Sequence, residues 1–245
     1  KADALEHTHP VEVEVRHPDE IRTIFDSISY HKGASVIHML YAYLGPKDFQ
    51  TGLRYYLKEH SYKNTVTTDL WKAFEIASEK PVADFMNTWV SQSGYPLVTV
   101  DVNDTGIHLS QERFVLNPKA NIKDKHTWPV PLLASKPSLP DVLSNTKLEI
   151  SDSSQVKKFS GSKLNKGSKG FYRTVYNASY YQVLATQITT GHFDPLDRLN
   201  LLSDISEAAK AGKLPVTEAL NLLDSYRNED DSAVWDIIVS LIGSV

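Results

Sequence analysis

A chain of 245 residues, 41% hydrophobic and 23% charged, has room for one large globular domain or two to three small ones. Its net charge of −4, with no run of Lys and Arg, argues against a dedicated nucleic-acid surface. With no cysteine there is no disulfide, thiol nucleophile or Cys-based zinc site. No apolar run approaches the ~18 residues of a membrane span.

The first ~95 residues carry helical periodicity. Pro18 and the acids Asp19 and Glu20 open a short helix through Ile21, Ile24 and Phe25. Gly33, Val36, Ile37, Leu40 and Leu44 recur on one helix face, and Gly45-Pro46 ends that helix and begins the next. Phe49, Leu53, Tyr56 and Leu57 give this second helix its apolar stripe. Thr67 or Thr68 is the expected N-cap of a helix bearing Leu70, Trp71 and Phe74. After Pro81, the residues Val82, Phe85, Met86, Trp89 and Val90 form a last stripe that Gly94-Tyr95-Pro96 stops.

Beyond Pro96 the period changes to two. Leu97, Val98, Val100 and Val102 read as a strand, and Ile107 to Val115 as another, joined by an Asn103-Asp104-Thr105-Gly106 turn. Further strands are expected at Trp128–Leu133, Lys147–Ile150, Val156–Phe159 and Phe171–Tyr176, a spacing that suggests a small antiparallel sandwich. Pro129 and Pro131 push the first of these to an edge. Lys163, Lys166 and Lys169 lie in a Gly/Ser-rich stretch that reads as a solvated loop.

Helices return from Ala178. Tyr181, Leu184, Ala185 and Ile188 make one stripe, and Leu199, Leu202, Ile205 and Ala209 a second that ends at Gly212. Pro215 opens a third with Leu220, Leu222 and Leu223. Asp230-Asp231 or Ser232 caps a fourth with Val234, Trp235, Ile238 and Leu241. Short connections between them give the texture of a helical hairpin stack, whose open apolar end at Val245 reads as a cut or as a surface for something else.

Several of these stretches, in this order, resemble the aminopeptidase N-like zinc metallopeptidases. Asp3-Ala4-Leu5 with His9-Pro10-Val11 is similar to the segment before that family's catalytic tyrosine, and Ile28-Ser29-Tyr30-x-Lys32-Gly33-Ala34 to the tyrosine segment itself. Phe49-x-x-Gly52-Leu53-x-x-Tyr56-Leu57, His60-Ser61-Tyr62-Lys63-Asn64 and Thr68-Asp69-Leu70-Trp71 follow. Met86-x-x-Trp89-x-x-Gln92-x-Gly94-x-Pro96 resembles the exit from the catalytic domain. Gln111-x-Arg113-Phe114 resembles an early sandwich strand. Lys163-Leu164-Asn165 with Gly170-Phe171-Tyr172-Arg173 resembles the sandwich's end, and Asp197-Arg198 the first helices of the final domain.

The resemblance implies an α+β multidomain fold. Residues 1–96 would be the helical end of a thermolysin-like catalytic domain, 97–177 a small antiparallel β-sandwich, and 178–245 the start of an α-helical array. It implies a parent aminopeptidase that removes N-terminal residues from peptides with zinc-activated water, and it makes Tyr30 the catalytic residue, its hydroxyl donating to the oxyanion of the tetrahedral intermediate. The family's H-E-x-x-H metal motif, its downstream glutamate and its G-x-M-E-N motif have no counterpart, so no zinc is expected on this chain and the chain alone is expected to be inactive. The implied partners are a peptide substrate and the remainder of the same polypeptide, with no nucleic acid and no membrane span. The lack of cysteine favours a reducing, cytoplasmic setting.

From residue type alone, Tyr30 reads better as a core tyrosine with its hydroxyl on a backbone carbonyl, and only the resemblance of its surroundings favours the catalytic role. His7 and His9, two apart, could share a strand face and hold a metal, but no third ligand is evident and they read better as exposed terminal histidines. Arg173 reads as one half of a structural pairing. A non-catalytic scaffold or interaction module that keeps the family's fold is the alternative to the enzyme.

Overall fold

The computed structural model describes residues 2–120 and 126–243. They divide into two units, His9–Ser93, and Lys1–Thr8 together with Gly94–Val245. No helix among the described residues is long and apolar enough to cross a membrane.

The His9–Ser93 unit is helical. A 3₁₀ turn at Pro18–Glu20 runs into α1 (Ile21–Ile24), and a π-helical turn at Ile28–Lys32 runs into α2 (Gly33–Leu44). Then come α3 (Pro46–Glu59), α4 (Thr67–Ser78) and α5 (Val82–Ser91). Gly45, at φ +84°, takes the backbone out of α2, and Pro46 starts α3 where its missing N–H is no loss. The core is built from Val36, Met39, Leu40 and Leu44 of α2 and from all five predicted α5 residues, Val82, Phe85, Met86, Trp89 and Val90.

Two expectations need correction here. Neither Thr67 nor Thr68 caps α4; Val66 is the N-cap, and the Asp69 carboxylate reaches back to accept from the Val66 N–H at 3.0 Å. This is the reciprocal half of a capping box, the carboxylate at the third helical position accepting from the N-cap N–H, while no N-cap side chain takes the donors a hydroxyl would have taken. The α3 stripe is only half used: Phe49 stacks on Phe74 at 4.7 Å, but Leu53 and Leu57 are 37% and 59% exposed. The reason is Gly52. A Cβ there would sit 2.5 Å from Phe74 Cδ1, so α3 and α4 meet at a narrow, close crossing that leaves both leucines outside it.

The other unit contains β1 (Pro96–Asn103), β2 (Gly106–Arg113), β3 (Val130–Pro131), β4 (Val142–Leu143), β5 (Lys147–Ile150), α6 (Ser153–Phe159) and β6 (Arg173–Tyr176). After these come α7 (Ala178–Thr189), α8 (Pro195–Lys210), α9 (Val216–Leu223) and α10 (Ser232–Ile242). One sheet has the order β5-β2-β1-β6, and β3 with β4 forms a separate ribbon. The predicted β1–β2 hairpin forms. Gly106 has φ +145°, and a Cβ on it would meet Ile150 O at 2.2 Å, so only glycine fits between the turn and β5.

The sheet is mixed, not antiparallel as expected. β6 lies parallel to β1, with Val98 opposite Thr174, on the far edge from β5. Two antiparallel steps, β5 to β2 and β2 to β1, leave β5 and β6 pointing the same way, which requires a crossover connection. The crossover contains α6, and the strand expected at Val156–Phe159 is this helix. Asp152 starts it by accepting from the N–H groups of Ser154 at 2.8 Å and Gln155 at 3.0 Å. The strand expected at Trp128–Leu133 shrinks to Val130–Pro131. The buried Gln111 side chain replaces the ladder there: Oε1 accepts from Trp128 N at 2.9 Å, and Nε2 donates to Trp128 O at 2.8 Å and Asn145 O at 3.0 Å.

Among the returning helices, α7 buries Tyr181, Leu184 and Ile188 as predicted. The α8 stripe is broader than predicted. Leu202 and Ile205 are joined by Leu201 and Ala208, and the polar Asp197, Asn200, Asp204 and Glu207 are buried as well. Asp231 caps α10 by accepting from Ala233 N at 2.9 Å and Val234 N at 3.3 Å. The open end of the array expected at Val245 lies outside the described residues.

Lys163 is fully buried rather than solvated, whereas Lys166 and Lys169 are exposed. Its three N–H groups meet three acceptors: Asn165 O at 2.9 Å, Asp197 Oδ1 at 2.9 Å and Asn200 Oδ1 at 3.0 Å. Asn200 Nδ2 donates on to Asp204 Oδ2 at 3.2 Å, which also accepts from Thr174 N at 2.9 Å. Asp204 Oδ1 takes Arg173 Nη1 at 2.9 Å, the structural pairing expected of that arginine. The chain ties the 163–170 loop, α8 and β6 together.

Arg198 clamps Glu229 with Nε and Nη2, each at 2.7 Å. These hydrogen bonds hold the Glu229 carboxyl below its ordinary value of 4.5. Because the folded value is depressed, the clamp stabilises fully above the unfolded value and is lost as pH falls through the folded one. Glu229→Gln is therefore expected to flatten the acid side of a plot of urea midpoint against pH below about pH 5. An unchanged acid slope would show that the clamp contributes nothing.

Candidate active site

The segment before α2 is built around Asp26. Its Oδ1 accepts from Ile28 N and Ser29 N, both at 2.9 Å, and its backbone carbonyl accepts from Tyr30 N at 3.2 Å. The carboxylate thus satisfies the first free N–H groups of the π-helical turn. Gly33 N closes that turn on Ile28 O, five residues back. Single π-helical turns of this kind favour functional sites. Lys32 is 2% exposed and donates Nζ to Gln92 O at 2.9 Å, where α5 ends. The lysine of the Tyr-x-Lys-Gly stretch therefore braces the fold from below and does not face solvent.

Tyr30 itself faces outward. It is 59% exposed, its hydroxyl makes no hydrogen bond among the described residues, and its ring tilts against that of Phe25 at 5.7 Å between centroids. It is not packed as a core tyrosine. A neutral phenol held this way offers one donor to whatever binds beside it.

His9 departs from the expectation of a loose terminal histidine. Its Nε2 lies 2.7 Å from Asp26 Oδ2 and its Nδ1 2.8 Å from Pro10 O. Two acceptors on two ring nitrogens are satisfied in full only by the imidazolium. The Asp26 carboxyl is held below its ordinary range, first by the Ser29 N–H and then by His9. His7 is exposed. Among the described residues no group of three or more His, Cys, Asp or Glu could hold a metal ion.

A cavity of about 270 Å³ in the other unit is lined by Tyr95, Phe171, Arg173, Asn200, Ser203 and Asp204 among others. Arg173 and Asp204 in its lining already bond each other, and Arg173 also donates to Ser203 Oγ, which makes this part of the cavity a seam of the buried network. The sequence singles out Tyr30 and treats His9 only as a terminal histidine, and it does not point to Asp26 at all. The available signal was an aspartate two residues before the turn's first N–H; nothing local marks His9 as its partner.

Residues 1–89 match the Peptidase family M1 domain, and residues 162–245 match the ERAP1-like C-terminal domain. Tricorn protease-interacting factor F2 of Thermoplasma volcanium is 35% identical over 246 residues, covering 100% of this chain and 30% of its own length. Glutamyl aminopeptidase of Bitis rhinoceros is 37% identical over 257 residues, covering 100% of this chain and 27% of its own length. Aminopeptidase M1-D of Oryza sativa is 36% identical over 257 residues, with 100% and 29% covered. The chain thus spans less than a third of the length of these relatives.

Proposed function

Because this chain belongs to the M1 peptidase family, we propose that it is a portion of a zinc-dependent aminopeptidase that hydrolyses N-terminal residues from peptides. The observation that carries this reading is the outward Tyr30 hydroxyl, without a hydrogen-bond partner among the described residues, on a braced π-helical turn inside the M1-matching stretch. In the reaction the phenol donates a hydrogen bond to the oxygen of the scissile carbonyl as negative charge develops on it. The donor is fixed before the charge forms, so little reorganisation is needed at the moment of reaction.

Zinc supplies the activation of the attacking water in such an enzyme. The described residues do not fit a zinc site, so we assign the metal to the whole protein and none to this chain. Alone, these 245 residues are then inactive. We read residues 1–96 as the helical end of a thermolysin-like catalytic domain, 97–177 as the sandwich-type domain and 178–245 as the first helices of the C-terminal array. The two matched stretches support the first and last of these. The partners are a peptide substrate and the remainder of the polypeptide. The relative named as a protease-interacting factor supports a protein partner for the whole protein.

The test is turnover of aminoacyl-coumarin substrates by the full-length protein, with chelator and with zinc added back. Turnover lost to chelator and restored by zinc is expected, with none from the 245-residue chain alone. A full-length protein inert towards every aminoacyl substrate would sink the reading. Chelator-sensitive turnover by the short chain would sink the assignment of zinc elsewhere.

A further inference from the structure

We propose that Asp26 and His9 are positioning residues for the Tyr30 hydroxyl, an inference that rests on the catalytic reading of Tyr30 above. The phenol has no hydrogen bond of its own among the described residues, and the aromatic ring against it is that of Phe25, itself 63% exposed. Its direction is therefore set by the backbone that carries it. That backbone is a single π-helical turn, a conformation that does not propagate and must be pinned from outside.

Asp26 supplies the pins. One carboxylate oxygen holds the N–H groups of Ile28 and Ser29, and the backbone carbonyl holds the N–H of Tyr30. The other carboxylate oxygen is held at 2.7 Å by His9, whose second nitrogen is anchored at 2.8 Å on Pro10 O. A relay of three fixed contacts thus runs from the Pro10 backbone to the turn under the phenol. His9 and Asp26 side chains are each 35% exposed, so neither is a packing element of the core. Their bonds serve the turn, and a misplacement of about 1 Å at a reacting group costs on the order of 10²-fold in rate.

The experiment uses the full-length protein with Asp26→Ala, Asp26→Asn, His9→Phe, Tyr30→Phe and the double variant Tyr30→Phe with Asp26→Ala. Asp26→Ala is expected to lower kcat by about 10- to 100-fold with KM nearly unmoved. Asp26→Asn is expected to recover most of the rate. Its amide oxygen still accepts from Ile28 and Ser29, and its amide nitrogen donates to a neutral His9. His9→Phe keeps the ring volume and the turn contacts, and is expected to lower kcat by a smaller factor of about 3- to 10-fold. In the Tyr30→Phe background, Asp26→Ala is expected to lower the rate no further, because there is no hydroxyl left to place. A full additive loss in the double variant, an Asp26→Asn enzyme as slow as Asp26→Ala, or unchanged kcat in both Asp26→Ala and His9→Phe would overturn the proposal while leaving Tyr30 its role. An undiminished rate in Tyr30→Phe would instead overturn the catalytic reading on which the proposal stands.

Discussion

Tyr30→Phe in the full-length protein is expected to lower kcat by about 10²–10³-fold and to leave KM within a small factor. The substitution removes one oxygen from a ring that is 59% exposed and hydrogen-bonded to nothing among the described residues, so no buried group is left unsatisfied. The unfolding midpoint should therefore stay put. That separation is what makes the variant informative, since a structural tyrosine would lose stability and keep rate, whereas an oxyanion donor loses rate and keeps stability. The phenol gains strength as the carbonyl oxygen becomes negative, so its loss is felt in kcat rather than in substrate binding. Steady-state kinetics and a thermal melt on the same preparation decide the matter. A rate within twofold of the parent would remove Tyr30 from the mechanism.

Lys163→Met is expected to be the most destabilising single change, by about 3–5 kcal/mol. The lysine is fully buried, and burial pushes its ammonium down from the ordinary 10.5 against the pull of Asp197. Methionine fills the volume but withdraws three donors from Asn165 O, Asp197 Oδ1 and Asn200 Oδ1. Among the described residues, Gly167 N at 2.7 Å is then the remaining partner of that Asp197 oxygen. A buried carboxylate stripped of its counter-charge is the expensive outcome, not the loss of the pair itself. The double variant Lys163→Met with Asp197→Leu should therefore recover much of the loss. At about 2–4 °C per kcal/mol for a chain of this size, the single variant's melting transition drops visibly. Because the structure has two units, the transition to follow is that of the unit holding Lys163, read by the near-ultraviolet signal of its buried aromatics. A shift below about 1 kcal/mol would mean that water reaches the ammonium and the network is not sealed.

The elements legible in the sequence are those set within a few residues. The five-residue stripe of α5, the Gly45-Pro46 break, the Asp104-Thr105 hairpin and the Asp231 cap all rest on contacts between near neighbours. The Val156–Phe159 run misled because four apolar-rich residues fit either period, and Asp152 decided for the helix. The direction of β6 was hidden for a different reason. Its partner β1 lies some seventy residues earlier, and nothing local to Arg173–Tyr176 distinguishes a parallel neighbour from an antiparallel one. Lys163 in its Gly/Ser-rich surroundings looked solvated because its acceptors, Asp197 and Asn200, are 34 and 37 residues away. For the candidate site, Tyr30 was recognisable through its neighbours along the chain, but the His9–Asp26 contact spans 17 residues without a pattern to announce it.

The sequence by itself determined the helical and strand periods, most of their ends, the family resemblance and, through it, the choice of Tyr30 as the candidate residue. Those properties depend on the backbone preferences and spacing of residues within a turn or two of one another. Only the tertiary structure decided which edge of the sheet β6 joins, which lysine is buried and what holds the turn beneath Tyr30. Each of these is a pairing of polar groups between distant segments. A buried donor or acceptor must find a partner wherever the fold happens to bring one, and the linear order of residues does not say where that is.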